Sequence, residues 1–136
     1  RCVGQAQRCI DLALPYALQR EAFGQRIGEF QLIQQKITDM TCRTQAARGI
    51  VYQLGRMKDQ GGARAAMESS MAKLMASQAA VANALDAMQI HGGYGLSEEY
   101  EVGRLLLEAK SLESGEGTSE LHTKMIAEFM LGIRKQ

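Results

Sequence analysis

Met67, Met71, Leu74, Gln78, Val81, Leu85 and Met88 recur alternately four and three positions apart. That period puts them on one stripe of an α-helix running from about Ala63 to Ile90. So long a helix needs partners along its whole length, and the many alanines beside the stripe permit close helix approach. A second stripe, Ile33, Ile37, Met40, Thr44, Ala47, Val51 and Leu54, stops at the breaker Gly61-Gly62. Before it, Val3, Ala6, Ile10, Ala13, Leu14, Ala17 and Leu18 form another, with Phe23-Gly24 as terminator because glycine tolerates the left-handed conformation after a helix. Pro15 lies inside that stripe. It lacks a backbone donor and crowds the carbonyl four residues back, which predicts a kink rather than a break. The glycine-rich loop HGGYGLSEEY precedes a short helix through Val102, Leu105, Leu106 and Ala109. After the turn SGEG comes a last helix with Leu121, Met125, Phe129 and Ile133 inward. Strand signals are absent. The expected fold is all-α, an antiparallel up-down-up-down four-helix bundle with a short extra helix, and residues 1–136 form one unit.

Composition removes several function classes. Sixteen basic and fifteen acidic side chains are interspersed, so no electrostatic footprint points to nucleic acid or an anionic membrane. Cys2, Cys9 and Cys42 form no C-x-x-C or zinc spacing, and an odd count speaks against a disulfide framework. They read as reduced thiols in an intracellular protein. The opening RCVGQAQRCIDLAL lacks the parts of a signal peptide, and no apolar run approaches membrane-spanning length. The chain opens with neither Met nor a cap, which suggests a piece of something longer.

Two turns hold residues that could carry chemistry. Glu116 lies between Gly115 and Gly117, where the missing side chains would let a ligand approach its carboxylate. Thr118 and Ser119 follow it and can cap the last helix while facing an anion or a polar cofactor edge. The plainer reading is a solvated turn with a cap. In QIHGGYG, from Gln89 to Gly95, adjacent glycines expose amides that could lie against phosphates, or the stretch is simply a helix stop. It is not G-x-G-x-x-G, follows no strand and lacks the P-loop lysine. His91 and His122 are unremarkable singly, and neither completes the Glu-x-x-His pattern of a di-iron bundle, which disfavours metal catalysis. The eight methionines read as core filler. Arg20, in QREAFG, could clamp a phosphate or merely sit beside a core plug.

Together, in this order, these stretches resemble the C-terminal helical domain of the acyl-CoA dehydrogenase family. The marks are YALQREAFG at Tyr16 to Gly24, Phe30-Gln31, Ala72-Lys73, QIHGGYG at Gln89 to Gly95 and EGTSE at Glu116 to Glu120. The resemblance covers essentially the whole chain. It implies a three-domain FAD enzyme whose N-terminal helical and middle β-domains are not in this chain, assembled as a homotetramer or homodimer. Its compartment would be reducing, bacterial cytoplasm or mitochondrial matrix. It implies that Arg20 and Gln31 contact the FAD of a neighbouring subunit. Gln89, His91, Gly92 and Gly93 would line the pyrophosphate and adenosine part largely through backbone, and Thr118, Ser119 and Glu120 would touch FAD from the subunit's own side. Glu116 matches the catalytic base that takes the α proton of an acyl-CoA thioester while the β hydride goes to flavin N5, giving the trans-2-enoyl thioester. Gly117 would leave room for the thioester. Electron-transferring flavoprotein would reoxidise the FAD.

The chain departs from the family pattern at two places. Leu107-Glu108-Ala109 replaces the usual Arg-Asp-Ala, and Gly115 stands where an aromatic or bulky residue is common. Gly115 is thereby expected to widen the space near the α and β carbons for a branched, substituted or polar acyl group. Rival readings are an acyl-CoA oxidase, an acyl-carrier-protein dehydrogenase and a non-catalytic helical scaffold.

Overall fold

The computed structural model describes residues 1–61 and 65–133. It contains α1 (Cys2–Gln19), a hairpin of β1 (Glu21–Ala22) and β2 (Gln25–Arg26), α2 (Gln31–Asp59), α3 (Ala66–His91), α4 (Val102–Ser114) and α5 (Ser119–Met130). Short 3-10 turns at Ile27–Glu29 and Gly92–Leu96 link the longer pieces. The fold is the expected all-α bundle. Residue pairings fix its directions. Asn83 meets Ala6, and Tyr16 meets His91, so α1 and α3 run the same way. Lys36 of α2 pairs with Asp86, whereas Ala47, further along α2, packs with Ala76 and Ala79, earlier in α3, so α2 runs against α3. The fourth arm is broken: α4 descends along α3 from Tyr100 to a contact between Glu113 and Lys73, and α5 continues past it, with Met125 against Ser70.

The core gathers where α3 is covered by the other helices. Cys9, Ala13, Met40, Ala80, Ala84, Ala87 and Ala109 are fully buried there. Asn83 ties three helices together at the centre, its amide donating to Ala6 O, Met40 O and Thr44 Oγ1 at 3.2, 3.1 and 2.8 Å. Thr44 in turn donates to Met40 O, so every neighbour of the amide nitrogen is an acceptor and its orientation is fixed.

Several sequence expectations give way. The large residues of the α3 stripe do not face inward: Leu85 is 52% exposed, Met71 and Gln78 are also exposed, and Met67, Leu74, Val81 and Met88 are only half-buried. The buried line is Ala72, Ala76, Ala79, Ala80, Ala84 and Ala87. A helix pressed by neighbours on several sides keeps their axes close only if methyl groups fill the gaps, so the small side chains take the interior. Consequently most methionines are not core filler; Met40 is buried, whereas Met75 and Met130 lie at the surface. Leu14 and Leu18 of α1 also face outward. In the last helix Met125 and Phe129 are half-buried, but Leu121 is exposed and Ile133 lies beyond the end of α5, 72% exposed. Gly24 does not terminate α1. That helix ends at Gln19 with Arg20 extended, and the positive φ of Phe23 (52°) and Gly24 (81°) makes the tight turn of the unexpected hairpin. Pro15 lies within α1, which continues four residues beyond it. Gly62 and the expected helix start at Ala63 lie outside the described residues. No helix among the described residues is long and apolar enough to cross a membrane.

Candidate functional site

The break in the fourth arm is built by conflicting demands on four residues. Gly115 ends α4, its N–H donating to Ser111 O at 2.8 Å. Thr118 starts α5, its hydroxyl accepting from Leu121 N at 3.4 Å, as expected of a cap. Between them Glu116 adopts φ 60° and Gly117 φ 108°. Left-handed backbone is costly for a residue with a Cβ, on the order of 1 kcal/mol, and persists only where the surroundings enforce it. Glu116 is exposed and makes no ion pair or hydrogen bond among the described residues. It lines a cleft of about 480 Å³ whose walls combine the apolar Val3, Val51, Leu54, Ala72, Ala76 and Leu112 with Arg1, Ser69, Lys73 and Ser111.

The two glycines that flank it differ. Gly117 needs its positive φ, and a Cβ there would lie 2.8 Å from His122 Nε2. The conformation and the His122 ring therefore account for this glycine without any ligand. Gly115, with φ −66° and ψ 147°, has a backbone open to any residue, and a Cβ there would lie 3.2 Å from Ser111 O. Beneath the turn, Ser119 Oγ and both ring nitrogens of His122 are buried without a hydrogen-bond partner among the described residues. Glu120, in the first turn of α5, is exposed, and its carboxyl is held below the ordinary range by its own backbone N–H first and then by the Thr118 hydroxyl.

A second group forms at the opposite end of the bundle. Arg20 and Gln31 flank the hairpin, and Gln89, Gly92 and Gly93 close α3 beside them; all five are exposed. A cleft of about 500 Å³ lies between Tyr16, Arg20, Ile27 and the 92–94 turn. Gly92 takes φ 59°, and no atom lies within 4 Å of a Cβ built on Gly92 or Gly93, so these backbones are open to an approaching group. The Arg20 guanidinium lies 5.6 Å over the Tyr94 ring. His91 also lines this cleft but is packed into its wall. Its ring is 5% exposed, stacks on Tyr16 at 4.1 Å, and its Nδ1 donates to Ala87 O at 2.7 Å, while its carbonyl accepts from the Tyr16 hydroxyl.

Lys73 and His91 are 18 residues apart on α3, about 27 Å at 1.5 Å per residue. The Glu116 turn, which touches Lys73, and the Arg20 group are thus brought to opposite ends of one chain rather than into one site. The core plug expected beside Arg20 is not one, since the Phe23 ring is 97% exposed at the hairpin tip. Its position before Gly24 was the available signal, since a Phe-Gly pair reads as a turn as readily as a helix stop. Lys73 enters the sequence reading only within the Ala72-Lys73 mark, without a role, because its reach to the turn leaves no local sign. At the divergent triplet, Leu107 is exposed, Glu108 pairs with Arg104, and Ala109 is fully buried.

The sequence pattern described as "Acyl-CoA dehydrogenase, C-terminal domain" matches residues 1–131. An acyl-CoA dehydrogenase of Bacillus subtilis (strain 168) is 42% identical over 97% of this chain and 35% of its own length. The mitochondrial isovaleryl-CoA dehydrogenase of Oryza sativa subsp. japonica is 44% identical over 91% of this chain and 30% of its own length. Among solved structures, a glutaryl-coenzyme A dehydrogenase in complex with glutaryl-CoA superposes with a TM-score of 0.95 at 38% identity, covering 98% of this chain and 34% of that one. The prolyl acyl carrier protein oxidase AnaB superposes with a TM-score of 0.91 at 36% identity, covering 95% and 34%. The chain spans about a third of the length of these relatives. A pattern match over nearly all of the sequence, on a bundle whose helices superpose so closely, places this chain in the acyl-CoA dehydrogenase family, as its C-terminal domain.

Proposed function

We propose that the protein containing this chain is an FAD-dependent acyl-CoA dehydrogenase in which Glu116 removes the α proton of the thioester. The observation that carries this reading is the strained turn that holds Glu116 exposed, without a partner among the described residues, on a cleft walled largely by apolar side chains with Lys73 beside it. An α C–H beside a thioester carbonyl is only weakly acidic, so its removal needs a carboxylate fixed within reach and free of other partners. Hydrogen bonds to the developing enolate oxygen lower the barrier further, and the backbone N–H of Glu116 would supply one of them.

The residues present fit FAD. Thr118 and Glu120 are exposed at the start of α5, beside Glu116, and the Gly92-Gly93 backbone is open at the far end. Bound FAD supplies the acceptor for the hydride that leaves the β carbon. Thr118 to Glu120 would hold it on the side of the subunit's own Glu116. Arg20, Gln31, Gln89, Gly92 and Gly93 would hold the dinucleotide of a neighbouring subunit, with the exposed ring of Phe23 available to cover a base. The span of about 27 Å along α3 supports this division, because one chain's two groups then serve two FAD molecules. His91 would contribute by fixing the 92–94 turn rather than by its ring.

The missing parts follow from this reading: an N-terminal helical domain, a middle β-domain, and assembly as a homodimer or homotetramer. Gly115 leaves room for a branched, substituted or polar acyl group, and electron-transferring flavoprotein is the expected electron acceptor. The likeness to AnaB supports a second reading, an oxidase or an enzyme of acyl-carrier-protein thioesters. Peroxide formed during turnover, and preference between the two thioester carriers, separate these. The test of the main reading is Glu116→Gln in the full-length protein. FAD should remain bound, while anaerobic flavin reduction by an acyl-CoA slows by roughly 10²-fold or more. Reduction at the normal rate refutes it.

A further inference from the structure

Lys73 projects from α3 into the break between α4 and α5. Its ammonium donates to two backbone carbonyls at once, Glu113 O and Gly117 O, each at 2.6 Å. Glu113 lies in the last turn of α4, where carbonyls have no partner within the helix and carry the negative end of its dipole. Gly117 O belongs to the left-handed turn itself. A cation bridging these carbonyls sets the chord across residues 113–117, and with it the direction in which the Glu116 side chain leaves the backbone. From below, the His122 ring fills the space a Gly117 Cβ would need. The turn is thus held on one side by Lys73 through its carbonyls and bounded on the other by the His122 ring against Gly117.

We propose that Lys73 is a positioning residue for the α-proton transfer, acting through the carbonyls of the turn rather than by touching substrate. This rests on the reading of Glu116 as the base. Lys73 makes no ion pair with Glu116 among the described residues, although both line the same cleft. The arrangement matters chemically: a direct ion pair would occupy the carboxylate oxygens, whereas the carbonyl clamp leaves them open to the α hydrogen. Displacing a reacting group by 1 Å costs about 10²-fold in rate, so a clamp that fixes its backbone has a kinetic signature.

The test uses full-length, flavin-loaded Lys73→Met, Lys73→Arg and Glu116→Gln. Lys73→Met should reduce its flavin about 10- to 100-fold more slowly per bound FAD, with the substrate concentration for half-saturation changed less than about threefold. Its isotope effect with an α-deuterated acyl-CoA should be at least as large as that of the unaltered enzyme. Amide hydrogen exchange over residues 113–122 should be faster, and Lys73→Arg should restore part of both. A Lys73→Met enzyme that only melts earlier, with an unchanged reduction rate and unchanged exchange across the turn, overturns the proposal. Where Lys73→Met yields no flavin-loaded protein, Lys73→Gln replaces it, and an unchanged rate there also overturns it. The two readings fail separately. Rapid reduction by Glu116→Gln removes the base itself, while slow Glu116→Gln beside rapid Lys73→Met removes only the clamp.

Discussion

Replacing Asn83 with alanine should destabilise the bundle by about 2–3 kcal/mol. The amide shares two N–H groups among Ala6 O, Met40 O and Thr44 Oγ1, and each N–H contributes about 1 kcal/mol net. The void left where α1, α2 and α3 meet adds about 1 kcal/mol more. Against this, Asn83 Oδ1 is buried without a partner among the described residues, and its removal returns part of the loss. Asn83→Asp sharpens the test because it keeps the shape and replaces the donor with an oxygen facing three acceptors. The charged form is excluded, so the folded-state pKa of the new carboxyl rises well above its unfolded value of about 3.9. Below about pH 4 both states hold the proton and little extra is lost; above it only the unfolded chain ionises, and stability falls by about 1.4 kcal/mol per pH unit until the folded pKa is reached. Urea unfolding followed by helical circular dichroism at about pH 5 and pH 7 should therefore show Asn83→Asp losing up to about 2.7 kcal/mol between them relative to Asn83→Ala. If Asn83→Ala lies within about 0.5 kcal/mol of the parent, or Asn83→Asp is offset equally at both pH values, the amide is not the tie between these helices.

Two further outcomes follow from local geometry. Gly117→Ala combines positive φ with a Cβ 2.8 Å from His122 Nε2 and should cost about 2 kcal/mol or more, whereas Gly115→Ala, on ordinary backbone, should cost less than about 1 kcal/mol; thermal melting that reverses this order contradicts the account of the turn. Burial, with a smaller contribution from the Glu101 charge, pushes the Cys9 thiol up to about 12. Iodoacetamide at mildly alkaline pH should leave Cys9 unmodified in the native protein, as mass mapping would reveal. The same shift means that the unfolded chain ionises first as pH rises above about 9, so stability declines toward pH 12. Cys9→Ala should flatten that decline.

The helices were legible because their apolar period is long and their ends carry glycines or a threonine cap. Thr118 is the clearest case, since its capping partner, Leu121 N, is three residues away in sequence. Which face of α3 is interior was not legible. Its stripe of Met and Leu is genuine, but the bundle interior is set by how closely helices approach, and that selected the alanines. The hairpin at Glu21–Arg26 is too short to leave an alternating pattern. At the site, the glycines around Glu116 signalled an unusual turn. They did not reveal that His122 accounts for Gly117, that Lys73 closes the turn from α3, or that the His91 ring packs into the core. Those relations cross 5 to 75 positions of sequence, where no local pattern carries information.

The methyl-lined contact surface of α3 also governs which inherited changes this protein can absorb. Ala80, Ala84 and Ala87 have no exposed surface, so an added methylene has nowhere to go except between helix axes. An alanine-to-valine exchange there, ordinarily counted as mild, would pry apart the arms that carry the Glu116 turn at one end and the Arg20 group at the other. Exchanges at the exposed Met71 and Leu85 would leave that spacing intact.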